Sequence, residues 1–163
     1  MCAYNRAFSA RPSKDKDKIK NRIAIFAFMN DFRFQRGERL KSRKELEGLF
    51  KPGSNALMQY PFRLVWRPVE EARSSFPVQF TVSVSKRRFK HAVDRNRVKR
   101  LIKEAYRLRK HELYDALPEG SPQLAWMIIF IGKEMPDYPK VEKAMRKLIA
   151  KFIKQYQLPQ TNV

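Results

Sequence analysis

The sequence predicts an α+β fold, a small mixed sheet with packed helices in the order α-β-β-β-α-β-α. Three observations carry this. Val78, Phe80, Val82 and Val84 alternate with Gln79, Thr81, Ser83 and Ser85, the pattern of a half-buried strand. Leu124 to Ile131 is a continuous apolar run, read as a central strand. Two longer segments carry apolar residues at helical spacing: Val98, Leu101, Ile102, Ala105 and Leu108, then Val141, Met145, Leu148, Ile149, Phe152, Ile153 and Tyr156.

Residues 1–36 read as a basic N-terminal extension. Lys14-Asp15-Lys16-Asp17-Lys18 is a solvated charge run, nothing before it is periodic, and Met29 is a candidate start. The folded domain is expected over 37–157, with order beginning near Leu40, and 158–163 as a tail. Ser42-Arg43-Lys44-Glu45 fits a capping box, in which the Ser42 hydroxyl and the Glu45 carboxylate each satisfy a backbone N–H. Leu46, Leu49 and Phe50 then share one face until Pro52-Gly53 stops the helix. A strand around Ala56 to Tyr60 is split by Pro61 from a second, in which Phe62, Leu64 and Trp66 alternate with Arg63, Val65 and Arg67. The strand over 78–85 follows a charged, turn-like segment, Pro68 to Pro77. A long helix runs from about Ala92 to Leu113, and Pro139 opens the last one.

The chain has 163 residues, enough for one domain with a tail. Its 36 Lys and Arg against 16 Asp and Glu leave a net charge of +20. Self-repulsion of that size destabilises a compact state, and the usual compensation is a polyanionic partner, bound through counterion release. With 43% hydrophobic and 12% aromatic residues this is a folding chain, unlike a disordered basic tail. Cys2 is the only cysteine, which excludes an internal disulfide and a cysteine-rich zinc site and fits a cytoplasmic setting. No apolar run approaches the ~20 residues of a membrane helix. The run from Ile23 to Met29 follows basic residues but lacks a small-residue cleavage site, so a signal peptide is discounted.

The functional stretch is Ser83 to Glu112. Lys86, Arg87, Arg88, Lys90, Arg95, Arg97, Lys99, Arg100, Lys103, Arg107, Arg109 and Lys110 stand there against Asp94, Glu104 and Glu112. At ~100° per residue Asn96, Arg100, Lys103 and Arg107 fall opposite Val98, so the helix buries one face and offers a basic ridge on the other. Guanidinium groups grip phosphates bidentately, and lysines act as point charges. An ordinary solvated face would mix both signs at i,i+4, and this one barely does.

Ser83-Val84-Ser85-Lys86-Arg87-Arg88-Phe89 and then Ala92-Val93-Asp94-Arg95-Asn96-Arg97-Val98-Lys99-Arg100-Leu101-Ile102-Lys103-Glu104-Ala105-Tyr106-Arg107 closely resembles the signature of the bacterial ribonuclease P protein. Its centre is Arg-Asn-Arg followed by Lys-Arg. The resemblance extends over about residues 37–157, including the segment from Arg39-Leu40 to Gly53. It implies a ribosomal protein S5 domain 2-like fold with a left-handed strand-helix-strand crossover, against the general rule. It also implies a protein subunit of an endoribonuclease ribonucleoprotein that removes the 5′ leader of precursor tRNA. The partner RNA does the chemistry with Mg2+, this chain supplies no catalytic residue or metal ligand, and one protein joins each RNA. Carried over residue by residue, the RNA-docking set is Arg95, Asn96, Arg97, Lys99, Arg100 and Lys103. The leader-binding cleft is Leu46, Phe50, Lys86, Arg87, His91 and Lys133. Two positions depart from the family pattern: Lys90 stands where Gly is frequent, and Leu46 where an aromatic is frequent.

Other functions fit less well. A two-metal nuclease needs converging carboxylates, and Ala56 to Trp66, Val78 to Ser85 and Leu124 to Ile131 hold no Asp or Glu. A metal-independent nuclease needs a paired acid and base, whereas His91 and His111 lie roughly 30 Å apart at ~1.5 Å rise per residue. A helix-turn-helix needs a companion helix where this chain has a strand. The remaining alternative is a ribosomal or rRNA-maturation RNA-binding protein on the same basic α+β plan, with no role in tRNA cleavage. No membrane partner is expected.

Overall fold

A computed structural model of the chain describes residues 32–157. The charge run at Lys14 to Lys18, Met29 and the tail at 158–163 lie outside the described residues. The packed unit begins at Phe34, six residues ahead of Leu40.

The element order is α1 (Arg43–Gly48), β1 (Asn55–Gln59), β2 (Phe62–Pro68), β3 (Val78–Val84), α2 (Ala92–Ala116), β4 (Leu124–Phe130) and α3 (Tyr138–Gln157), the α-β-β-β-α-β-α order expected. Pro61 separates β1 from β2, in a turn with a cis Tyr60–Pro61 bond. Spatial order in the sheet is β1-β2-β4-β3. β1 with β2 and β2 with β4 are antiparallel, while β3 and β4 are parallel. A parallel neighbour needs a long crossover, and α2 provides it. β4 is interior to the sheet and apolar throughout, with every residue but Ile129 buried.

One face carries Phe62, Leu64, Trp66, Phe80, Val82, Trp126 and Ile128 under α2 and α3. Trp126 meets Phe152 edge-on at 4.6 Å, and Phe80 stacks on Tyr106 with ring centroids 3.9 Å apart. The other face holds a smaller cluster of Leu40, Leu49, Val65, Val69, Ala125 and Met127, with Leu46 and Ile129 at its margin. α1 therefore covers only part of its face.

Ahead of α1, Phe80 N–H donates to the Glu38 carbonyl at 2.7 Å and Leu40 N–H donates to the Phe80 carbonyl at 3.1 Å. This short parallel pairing caps the outer edge of β3, which would otherwise offer unpaired backbone groups. Phe34 packs edge-on against Phe80 and Tyr106, each at 6.0 Å.

Two local expectations need correction. Ser42 caps α1 by accepting from Glu45 N–H at 3.4 Å, but the Glu45 carboxylate turns to Arg67, 3.8 Å away. The capping box is half formed: the buried carboxylate lies within ion-pair range of the Arg67 guanidinium without a hydrogen bond to it. On α2 the buried stripe is Val98, Ile102, Ala105, Tyr106, Lys110 and Leu113, and Leu108 is 40% exposed. The stripe is rotated toward Tyr106 because that ring stacks on Phe80, leaving Leu108 roughly 120° from its centre on a 100° wheel.

Candidate nucleic-acid interface

The turn 86–91 joins β3 to α2. It is held by Arg88 and Phe89 N–H donating to the Ser85 carbonyl, and by Arg87 N–H donating to Ser85 Oγ at 3.2 Å. Phe89 is buried against Phe130, which fixes the turn to the end of β4. The first turn of α2 also braces it: Arg95 Nη1 donates to the carbonyls of Phe89 at 2.9 Å and Lys90 at 2.7 Å. Among the described residues no residue other than glycine has a positive φ, so Lys90 fits where the family often has Gly without left-handed backbone. His91 is the N-cap residue of α2, extended in backbone and exposed. Asp94 in the first turn complements the positive end of the helix.

The basic residues of α2 divide into two groups. Toward the C-terminus each is paired: Arg107 with Glu104 at 2.6 Å, Arg109 with Glu112 at 2.6 Å and Glu142 at 2.7 Å, Lys110 with Glu38 at 2.5 Å. The near absence of mixed signs read from the sequence fails here, since two of those acids come from distant segments. Toward the N-terminus, Asn96, Arg97, Arg100 and Lys103 are exposed and Lys99 is half-buried. Arg97, Lys99, Arg100 and Lys103 form no ion pair among the described residues. Five of the six candidate docking residues thus share one uncompensated basic surface, and Arg95 sits at its base with its guanidinium committed to the turn.

Partial burial first, then Arg39 and Lys99, hold the Lys103 ammonium below the usual lysine range. Arg39 enters from the bridging segment beside β3, with its guanidinium over the Phe34 ring at 5.6 Å. A cavity of about 380 Å³ beside it is lined by Phe34, Arg100, Leu101, Lys103, Glu104 and Arg107. Cations crowded like this are relieved by an anion. Arg39 was not singled out because its place on the ridge depends on a pairing that periodicity does not report.

The candidate cleft residues lie toward two ends of the sheet. Lys86 and Arg87 leave β3 where Val84 pairs with Phe130, and Lys133 leaves β4 at the same end; all three are exposed, as is His91. Leu46 packs in the cluster under α1, and Phe50 follows α1 with 70% of its surface exposed. α1 is anchored by Glu45 to Arg67, and Arg67 pairs with Ala125 at the other end of β4. The six residues therefore bracket a strip roughly 20 Å long at ~3.3 Å per strand residue. Between them the face α1 leaves open carries Arg63, Thr81, Ser83 and Ile129, aligned across strands by the pairings Arg63–Ile129, Thr81–Met127 and Ser83–Ile129. Arg63 is exposed; it was not singled out as a site residue, although the alternation of β2 places it opposite the apolar row.

No group of three or more His, Cys, Asp and Glu side chains that could hold a metal occurs among the described residues. No helix among them is long and apolar enough to cross a membrane.

Comparison with known proteins gives the same direction. The family model for ribonuclease P matches residues 34–153. The ribonuclease P protein component of Porphyromonas gingivalis is 42% identical over 121 residues, covering 74% of this chain and 87% of that protein. Its counterpart in Chlorobaculum tepidum is 34% identical over 136 residues, covering 77% and 86%. Among solved structures, the ribonuclease P protein of Staphylococcus aureus superposes with a TM-score of 0.54 at 16% identity, covering 71% of this chain and 94% of that one. That of Thermotoga maritima superposes with 0.53 at 21% identity, covering 69% and 96%; these two establish the shared fold. With its Arg-Asn-Arg helix, its sheet order and this span of similarity, the chain belongs to the ribonuclease P protein family.

Proposed function

We propose that the chain is the protein subunit of ribonuclease P. It binds the catalytic RNA through the first half of α2 and the 5′ leader of precursor tRNA along the sheet face that α1 leaves open, assisting endonucleolytic removal of the leader. The uncompensated surface of Arg97, Lys99, Arg100 and Lys103 carries this reading, because it gathers four cations without an ion-pair partner among the described residues on one helix of a chain with a net charge of +20. Arg95 acts there by holding the turn, and Asn96 offers an amide to sugar or base. Single strands bind grooves that combine positive charge with aromatic platforms. Phe50 supplies the platform, with Lys86, Arg87, His91 and Lys133 as the cationic end and Leu46 as apolar wall. Bond cleavage, with Mg2+, belongs to the RNA.

The test is cleavage of a 5′-leader precursor tRNA at low magnesium, comparing no component, protein alone, a cognate catalytic RNA alone, and both. Cleavage that is absent or slow except with both is the expected result. Cleavage by protein alone, or no stimulation of the RNA, overturns it. The packed unit begins at Phe34, so a chain lacking residues 1–28 keeps full stimulation.

A further inference from the structure

Tyr60 is 69% exposed at the tip of the β1–β2 turn, where a structural role gives no reason for a large aromatic. It borders a cavity of about 350 Å³ whose apolar wall includes Pro61, Phe130 and Met135, and whose other wall is α3 with Lys140, Lys143 and Lys147. These lysines, three and four residues apart, share one helix face. Lys140 reaches Asp137 at 3.6 Å, while Lys143 and Lys147 form no ion pair among the described residues. Glu134, also on the wall, argues against a simple anion site and offers an acceptor to an exocyclic amine. An aromatic platform, an apolar slot, a hydrogen-bond acceptor and two unpaired cations in a space this small match one unpaired nucleotide.

We infer that this pocket binds an unpaired nucleotide of the RNA subunit, its base over Tyr60 and its phosphate on Lys143 and Lys147. The inference rests on the reading of the chain as that RNA's partner. The RNA subunit rather than the leader is the source because the pocket opens on the helical face of the sheet: α3 packs beside α2 there, on the layer that carries the basic ridge. The proposed leader path lies on the opposite face.

The experiment measures affinity of the full chain for the catalytic RNA over a series of salt concentrations, without precursor. Tyr60→Ala weakens binding about tenfold, as loss of one stacked base does, and Tyr60→Phe stays near wild type. The double variant Lys143→Gln, Lys147→Gln lowers the slope of log affinity against log salt by roughly one to two units. All these positions are on the surface, and unchanged thermal melts confirm intact folding. An Arg97→Ala, Arg100→Ala double variant serves as the control. If it binds weakly while the pocket variants match wild type, the pocket proposal is wrong and the partner reading stands. If it too matches wild type, the partner reading has failed and the pocket proposal falls with it. Pocket variants that spare RNA-subunit affinity but weaken precursor binding by the assembled enzyme overturn the assignment to the RNA subunit.

Discussion

The Lys110 ammonium and the Glu38 carboxylate meet at 2.5 Å with both side chains withdrawn from solvent. Tyr114 Oη donates to the same Glu38 oxygen at 3.1 Å and lies 3.4 Å from Tyr106 Oη. The pair ties the segment that edges β3 to the C-terminal half of α2. Removing one partner strands a buried charge, which costs about 3–5 kcal/mol. Lys110→Met alone and Glu38→Leu alone should therefore each destabilise strongly, and the double variant should recover much of the loss. Denaturant midpoints of all three check this; losses that simply add would show that the two charges are not coupled.

The same network makes stability depend on alkaline pH. Burial pushes the Tyr106 phenol well above its ordinary value, and burial likewise raises Tyr114. In the unfolded chain both ionise near ~10. Their contribution is fully present below that pH and is lost as pH rises from there through the raised folded values, because the unfolded state releases protons first. Melting temperature should fall above pH ~10, and less steeply in Tyr106→Phe. Identical slopes for the two proteins would remove Tyr106 from the account.

The division of α2 predicts unequal effects of similar substitutions. Arg97→Ala and Arg100→Ala should each weaken binding to the catalytic RNA and lower the salt slope by roughly one. Arg109→Ala, which breaks pairs with Glu112 and Glu142, should leave the slope unchanged and act on stability alone. Equal slope changes at positions 97 and 109 would mean that the ion pairs open when RNA binds.

How legible this was in the sequence depended on whether a feature is local. The strand over 78–84 and the buried β4 follow from alternation and from an uninterrupted apolar run, both set by the strand period. The basic ridge was visible as a charge pattern, but its boundaries were not. Lys110 sits among ridge residues in the sequence and is buried only because Glu38, seventy-two positions earlier, is brought to it. Leu108 was placed inside because a helical wheel has no means of anticipating that Tyr106 stacks on Phe80 and sets the rotation. Arg39 reached the ridge, and Arg95 was drawn off it, through backbone pairings and carbonyl contacts that charge patterns do not encode.

Arg95 then separates two kinds of loss within one motif. Its guanidinium donates to the Phe89 and Lys90 carbonyls, so Arg95→Ala should release the turn, lower stability by about 1–3 kcal/mol and expose 86–91 to protease. Arg97→Ala, at an exposed position, should do neither while still weakening RNA binding. Thermal melts and limited proteolysis of the two variants decide it. Equal protease resistance would show that the turn holds without Arg95.

Phe50 tests the leader path directly. It is 70% exposed, so its truncation removes little buried surface and Phe50→Ala should change stability by less than about 0.5 kcal/mol. If its ring stacks a leader base, the variant loses roughly 1–3 kcal/mol of precursor affinity while affinity for mature tRNA, which lacks the leader, is unchanged. Binding of both tRNAs to the assembled enzyme measures the difference. Equal losses on the two substrates would place Phe50 outside the leader path, and a melting temperature that falls with them would mean that the ring is packed in solution.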